Sequence, residues 1–249
     1  MTVACTEIVL DAHAVTSISD DISKQGWAYR DGQGMAQRLN LDPDSWEDFS
    51  RYWENLALDE YMADQGTYRY RRYSEFDFKV GGALHKLPHA AYEQATYINT
   101  LNGGVARHFL PLEDGMVEHP LFIALLAGIA RVFDRVEGAT CDWNIRLHPY
   151  RIVTNEFEQG KPTPEGRHRD GVDYIVMMLV RRTGITGGTT RVSTLLNKTL
   201  CEVTLANGLD VIMGDDRQIM HEVSPINCQE IGRQGYRDAL VIAFTRKGV

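Results

Sequence analysis

From Cys141 to Arg246 the chain runs through seven short apolar segments: "CDWNIRLHPYRIV", "DYIVMMLVR", "TTRVS", "TLCEVTL", "LDVIMG", "IMHEVSPI" and "DALVIAFTR". Turn residues separate them at "TGGT", "ANG", "GDD" and "GRQG". Gly, Asn and Asp reverse a chain at little steric cost, and short runs of Val, Ile, Leu and aromatics between such reversals are strands. So many short strands must hide their edges, and an antiparallel jelly roll does this by folding one sheet over another.

The first half has a different texture. "DPDSWEDFSRYWENLALDEYM" (42–62) reads as one helix, started by Pro43 with Asp44 or Ser45, with Trp46, Phe49, Trp53 and Leu56 on one stripe. "EHPLFIALLAGIARVFDRV" (118–136) has Pro120 near its first position and is apolar nearly all round until Arg131, as expected of a helix buried across a sheet. A shorter helix is expected around 18–25 and a strand at "GWAYRD". In "GTYRYRRYSEFDFKV" (66–80), Tyr68, Tyr70, Arg72, Ser74, Phe76 and Phe78 alternate with Arg69, Arg71, Tyr73, Glu75 and Asp77, the period of a strand. The expected architecture is α+β, mainly β: a cupin-like double-stranded β-helix (jelly roll) with buttressing N-terminal helices. Residues 1–249 read as one domain, with a helix-rich part over 1–140 and the jelly-roll core over 141–249.

A hydrophobic content of 43% allows a core that needs no disulfide staples. The net charge of −8 opposes wrapping around nucleic acid or an anionic membrane, so neither is an expected partner. Cys5, Cys141, Cys201 and Cys228 form no CxxC pair, and "MTVACTEIVLDAHAV" lacks a basic start followed by a long apolar core. No apolar run approaches the roughly 18 residues of a spanning helix. The expectation is a cytoplasmic protein with reduced thiols, a monomer or homodimer, acting on a small molecule.

The chemistry concentrates in "EGRHRDGVDY" (165–174), just ahead of "YIVMMLV". His168 and Asp170, two apart on extended backbone, point the same way. His221 in "IMHEVSPI" lies far along the chain on another expected strand. Two imidazoles and a carboxylate can hold one face of an iron(II) ion and leave the other face open to a bidentate co-substrate and O2. Arg237, at the start of the last strand, offers a guanidinium fork for a distal carboxylate. A keto dicarboxylate, 2-oxoglutarate, meets both demands. The same ligand set also suits zinc, and a cupin-like module that binds without turnover remains a second class.

Several segments, "LHPYR" (147–151), "PEGRHRDGVDYIVMMLVRR" (164–182), "GGTTRV" (187–192), "HEVSPI" (221–226) and "YRDALVIAF" (236–244), resemble the iron(II)/2-oxoglutarate dioxygenases of the bacterial L-isoleucine 4-hydroxylase type, which hydroxylate free amino acids. More loosely, "YRRYSEF" and "INTLNGGVARHFLPL" resemble that family's substrate-side segments. The resemblance implies that His168, Asp170 and His221 are the iron ligands and that Arg237 holds 2-oxoglutarate. It brings His148 and Arg151 near the active site and makes Gly187 and Gly188 the family's GG turn. His148 and Arg151, three apart, fall on opposite faces of a regular strand, and Arg151 is expected to be the pocket residue. The carboxylate at Asp170 favours hydroxylation over halogenation, since related halogenases carry a small residue there.

The expected reaction is hydroxylation of an unactivated C–H of a free L-amino acid, with succinate and CO2 as co-products. Arg69, Arg71, Arg72, Arg146 and Arg151 are candidates for the substrate carboxylate, and Glu75, Asp77 and Glu156 for its ammonium. Tyr70, Arg72, His148 and Arg151 form the expected substrate set. The polar "YRYRRY" cluster leans towards citrulline or arginine ahead of leucine or isoleucine. A carrier-tethered aminoacyl group or a small peptide is the alternative.

Overall fold

A computed structural model describes residues 8–96 and 103–248. In its first part α1 (Ala12–Gln25), β1 (Trp27–Arg30), α2 (Gly32–Leu39) and α3 (Pro43–Ser50) precede β2 (Ala57–Leu58), β3 (Arg69–Arg71), β4 (Ser74–Lys79) and β5 (His85–Lys86). Two helices follow, α4 (Asp114–Glu118) and α5 (Pro120–Glu137). The strands of the second part are β6 (Asp142–Thr154), β7 (Tyr174–Thr183), β8 (Ile185–Gly187), β9 (Thr189–Thr194), β10 (Thr199–Thr204), β11 (Val211–Asp215), β12 (Ile219–Val223), β13 (Ile226–Cys228) and β14 (Gly235–Arg246).

Nine strands form the major sheet, in the order β1-β11-β7-β14-β6-β3-β2, with β4 also beside β6 and β5 beside β4. Every pairing is antiparallel. Two smaller sheets, β10-β9-β12 and β13-β8, supply the facing wall of the jelly roll. The first part of the chain therefore closes both edges of the major sheet, with β1 on one side and β2 to β5 on the other.

Alternation decides what each face meets. On β6 and β7, Trp143, Ile145, Leu147, Tyr174, Val176 and Met178 pack in one core with residues of α1 and α5. The opposite parity of β7, Ile175, Met177 and Leu179, packs with Val192 of β9 and Ile219 of β12 inside the roll. Helix α5 earns its place by its ends as well as its apolar face: His119 caps the start, accepting from Leu121 N at 3.2 Å, and Gly138 at φ 69° ends it. Its Phe133 ring stacks on Tyr174 at 4.2 Å, which fastens the helix to β7.

The expected helix over 42–62 is shorter. It ends at Ser50, a 3-10 turn covers Arg51–Asn55, and Ala57–Leu58 already pair with β3. The turn is held by Trp53, whose buried Nε1 donates to the backbone oxygens of Tyr150 at 3.1 Å and Ala239 at 3.3 Å. Tertiary bonds to two strands thus outweigh the modest helix preference of the sequence. The short N-terminal helix is longer than expected, because Asp11 Oδ1 accepts from Ala14 N at 2.7 Å and starts it at Ala12. Cys141, Cys201 and Cys228 are free, and Cys5 lies outside the described residues. No described helix is long and apolar enough to cross a membrane.

Candidate active site

A cavity opens inside the roll, walled by the major sheet and floored by the loop ahead of β7. Strand β6 shows why parity matters here. Its even residues Arg146, His148, Tyr150 and Ile152 line the cavity, and its odd residues Trp143, Ile145 and Leu147 pack with the helices. Pro149 does not disturb this alternation. Pairing with β14 runs unbroken past it, and its carbonyl accepts from Arg72 N where the outer neighbour of β6 changes from β4 to β3. The missing N–H falls at that change of partners, a tolerated place for proline inside a sheet.

The pocket residue of the pair is therefore His148, and Arg151 is not in the cavity. Arg151 forks onto Asp238 (both bonds 2.7 Å) and Glu54 (both 2.9 Å) on the helix side and lies over the Tyr236 ring. The same correction applies to β3. Arg69 and Arg71 line the cavity, whereas Tyr70 pairs opposite Arg151 and Arg72 bonds outward to Asn55 O and Pro111 O. Of the ammonium candidates, Glu75 is engaged by Asn144 and Arg146, Asp77 pairs with Lys247, and Glu156 is an exposed loop residue.

His168, Asp170 and His221 come together. Backbone bonds join His168 N to His221 O at 3.0 Å and His221 N to His168 O at 2.9 Å, which pins the loop to β12. Asp170 stands between the rings: Oδ1 is 3.7 Å from His168 Nε2 and Oδ2 is 3.7 Å from His221 Nε2. All three potential ligand atoms lie within 4.8 Å of one another. An ion about 2.1 Å from two neighbouring ligands holds them about 3 Å apart, so small rotations suffice for coordination.

The hydrogen bonding and burial of the three groups suit a cation. His168 Nδ1 faces the Gly166 carbonyl at 2.9 Å, so it carries the proton and Nε2 keeps its lone pair. Burial pulls the His168 imidazole down, but Asp170 and Glu165 outweigh it and leave its pKa above the ordinary value. His221, 3% exposed, is driven well below that value by burial and then by His168, and its Nδ1 has no hydrogen-bond partner. Asp170 is raised by burial, with His168 partly offsetting the effect. A cation at their centre would answer all of these buried groups at once.

Asp216, wholly buried, sets the loop. Its carboxylate accepts from Asp170 N at 3.1 Å, Gly171 N at 2.7 Å and Val172 N at 3.1 Å. Burial and then Asp170 push its pKa up to about 6. Asp216→Ala leaves three amide donors without their acceptor, at about 1–3 kcal/mol each. The expected result is a 10- to 100-fold weaker iron(II) affinity, roughly the loss seen when outer-shell partners are removed, measured by metal titration of the folded variant.

Arg237 projects from β14 into the same cavity. It is 4% exposed, its Nε has no hydrogen-bond partner, and it forms no ion pair among the described residues. Burial, then Arg182, lower its pKa to about 10, so it stays a cation near neutrality. An unpaired buried charge costs several kcal/mol, and an incoming carboxylate is the group that offsets it. The Gly187–Gly188 turn makes the room. A Cβ at Gly187 (φ +76°) would stand 2.2 Å from Pro225 O, and one at Gly188 (φ +71°) 3.1 Å from Ile226 Cγ2 and 3.5 Å from Arg237 Cδ.

Residues 50–243 match the profile of the 2OG-Fe dioxygenase family. The chain belongs to this family. A BsmA homologue from Methylobium petroleophilum PM1 is 32% identical over 94% of this chain and 93% of its own, with a TM-score of 0.85. IDO from Bacillus thuringiensis superposes with a TM-score of 0.79 at 17% identity, over 94% of this chain and 99% of its own. The Fe(II)/α-ketoglutarate-dependent dioxygenase TqaL does so with 0.73 at 16%, over 94% and 87%. At such identities these two show the fold. No protein of curated function matches the chain. The dioxygenase uses iron(II), 2-oxoglutarate and O2, as its family does.

Sequence reasoning missed part of this dioxygenase's cavity wall. Tyr92, Gln94, Arg107 and Glu165 line it from irregular segments, where no periodicity marks an inward face. The only signal for Arg107 is its place in "INTLNGGVARHFLPL", and residues 98–102 of that segment lie outside the described residues.

Proposed function

We propose that this dioxygenase hydroxylates an unactivated C–H of a free L-amino acid, with His168, Asp170 and His221 holding the iron and Arg237 holding the distal carboxylate of 2-oxoglutarate. The observation that carries the reading is the meeting, in one cavity, of a two-imidazole, one-carboxylate cluster with a buried, unpaired guanidinium. Zinc hydrolysis would leave Arg237 without a task. The carboxylate at Asp170 supports oxygen transfer to carbon over halogenation, because it fills the position a halide would need.

When bound, iron(II) with 2-oxoglutarate supplies the oxidation of a C–H bond, coupled to loss of CO2 and formation of succinate. The protein supplies placement. Asp216 orients the loop that carries Asp170, and Gly166 O fixes which nitrogen His168 presents. Arg237 aligns the co-substrate from the far end by a two-pronged grip. Met177, Ala239, Val241 and Ala243 provide an apolar stretch of wall that keeps water from the reacting carbon.

The wall also narrows the side chain. Five arginines line the cavity, so a cationic substrate side chain meets like charges there. A neutral polar one such as citrulline's fits better than arginine's, and an aliphatic one fits the apolar stretch. Succinate release measured with each of the twenty amino acids, citrulline and ornithine tests this. Stimulation by neutral members and none by arginine or lysine is expected. Stimulation by arginine alone would reverse the electrostatic ranking.

A further inference from the structure

The charges of the cavity do not balance, and the imbalance is local. Arg69, Arg71, Arg107, Arg146 and Arg237 line it, against the carboxylates of Glu165 and Asp170. Two of the arginines are answered from behind the wall, Arg69 by Asp59 at 2.7 Å and Arg146 by Glu75 at 3.6 Å. Arg237 is assigned to 2-oxoglutarate above, and Asp170 to the metal. Arg71 and Arg107 remain.

Neither has a carboxylate of its own. Arg71, 1% exposed, reaches Asp59 Oδ2 only at 3.8 Å, and Arg69 holds that same oxygen at 2.7 Å. Arg107, 2% exposed, donates to Gln94 Oε1 at 2.9 Å and forms no ion pair among the described residues. The Nε of each has no hydrogen-bond partner. Their guanidinium carbons lie 5.4 and 4.7 Å from the centroid of the same Tyr92 ring, so two like charges share one dry corner. Aromatic faces hold them there: Arg71 also lies 3.9 Å over Phe109 and 4.6 Å over Tyr150. Rings fix the planes of the two forks but cannot neutralise them. Arg71 donates to His148 Nδ1, which leaves the His148 proton on Nε2 and adds a neutral donor to the same wall.

We propose that Arg71 and Arg107 form the docking subsite for a free carboxylate of the substrate, separate from the Arg237 site. The two sites are built on different elements: Arg237 stands by the Gly187–Gly188 turn, and the pair stands by Tyr92 and Phe109. Two forks around one anion remove both the mutual repulsion and the desolvation penalty. The consequence is chemical. An aminoacyl group in thioester linkage to a carrier, or a residue inside a peptide, has no α-carboxylate to offer, so the substrate is the free acid. This inference rests on the oxygenase reading of the cavity given above.

The test separates the two. Anaerobic enzyme loaded with iron(II) and 2-oxoglutarate gives a visible charge-transfer band, which is titrated with each of the twenty free L-amino acids, citrulline and ornithine. The α-carboxamide of every binder is then compared. At least one acid is expected to shift the band, with its carboxamide binding about 100-fold more weakly. Arg71→Gln and Arg107→Gln are each expected to bring the acid down to the level of the carboxamide while the band itself persists. Should Arg107→Gln lose the band, Arg107→Lys carries the comparison, with acid binding about 10-fold weaker because a point charge replaces a fork. A carboxamide that binds as well as its acid, acid binding untouched by either substitution, or no binding by any free acid overturns the subsite. No band in the wild-type enzyme overturns the oxygenase reading and the subsite together.

Discussion

His168→Ala is expected to abolish stable iron(II) binding and to reduce succinate formation by more than about 10³-fold. Two things are lost at once. The first is a lone pair that the Gly166 carbonyl holds in place through the other ring nitrogen. The second is the 3.7 Å approach to Asp170, whose carboxylate burial then pushes towards its neutral, weakly ligating form. The backbone bonds between His168 and His221 survive the change, so the strand pairing is retained and the melting transition moves little. Metal analysis of the purified variant and a thermal melt read the two effects separately. Normal turnover by this variant would remove His168 from the ligand set.

Arg237→Ala is expected to act on the co-substrate alone. Truncating one partner of a buried charge pair costs about 2–5 kcal/mol, so the 2-oxoglutarate concentration for half-maximal turnover should rise by about 30- to 4000-fold. Iron binding should be unchanged, since Arg237 makes no bond to the three ligands. Arg237→Lys should fall between, because an ammonium cannot grip both carboxylate oxygens in one plane. The protein without co-substrate is expected to lose no stability from the Ala change, as the wild-type guanidinium is buried and unpaired. An unchanged 2-oxoglutarate requirement would take the role away from Arg237.

Much of this was readable from residues, and the limits were physical. The two-residue period of "YRYRRYSEFDF" separates Arg69, Arg71 and Tyr73 from Tyr70, Arg72 and Phe76; in the structure Arg69 and Arg71 line the cavity and Tyr73 stacks on His148, whereas Arg72 bonds away from it and Phe76 packs with the helices. Alternation alone does not say which set meets the cavity, and Tyr70 and Arg72, expected in the substrate set, are not among its lining residues. The same ambiguity put Arg151 ahead of His148, since only the register with β14 shows that Asp238 draws Arg151 outward. His168, Asp170 and His221 were legible because their residue types are rare in this arrangement. Their convergence depends on the pairing of a loop with a distant strand, which the residues do not spell out.

Other features were legible only in part. "GDD" reads as a turn, and nothing in it announces that Asp216 gathers three amides of the loop carrying Asp170. Arg107 and Glu165 come from segments without period. A helix over 42–62 is what the local pattern favours, and it yields at Ser50 because Trp53 finds two backbone acceptors on the sheet.

The central claim is that two imidazoles and one acid share a single ion in a cavity that also grips a keto dicarboxylate. The most direct measurement is anaerobic titration of the wild-type protein and the His221→Ala variant with iron(II), in the presence of 2-oxoglutarate, followed by visible absorption. One equivalent of iron per chain should bring up a charge-transfer band in the wild type and none in the variant. A wild type that gives no band, or a variant that gives an undiminished one, would contradict the account.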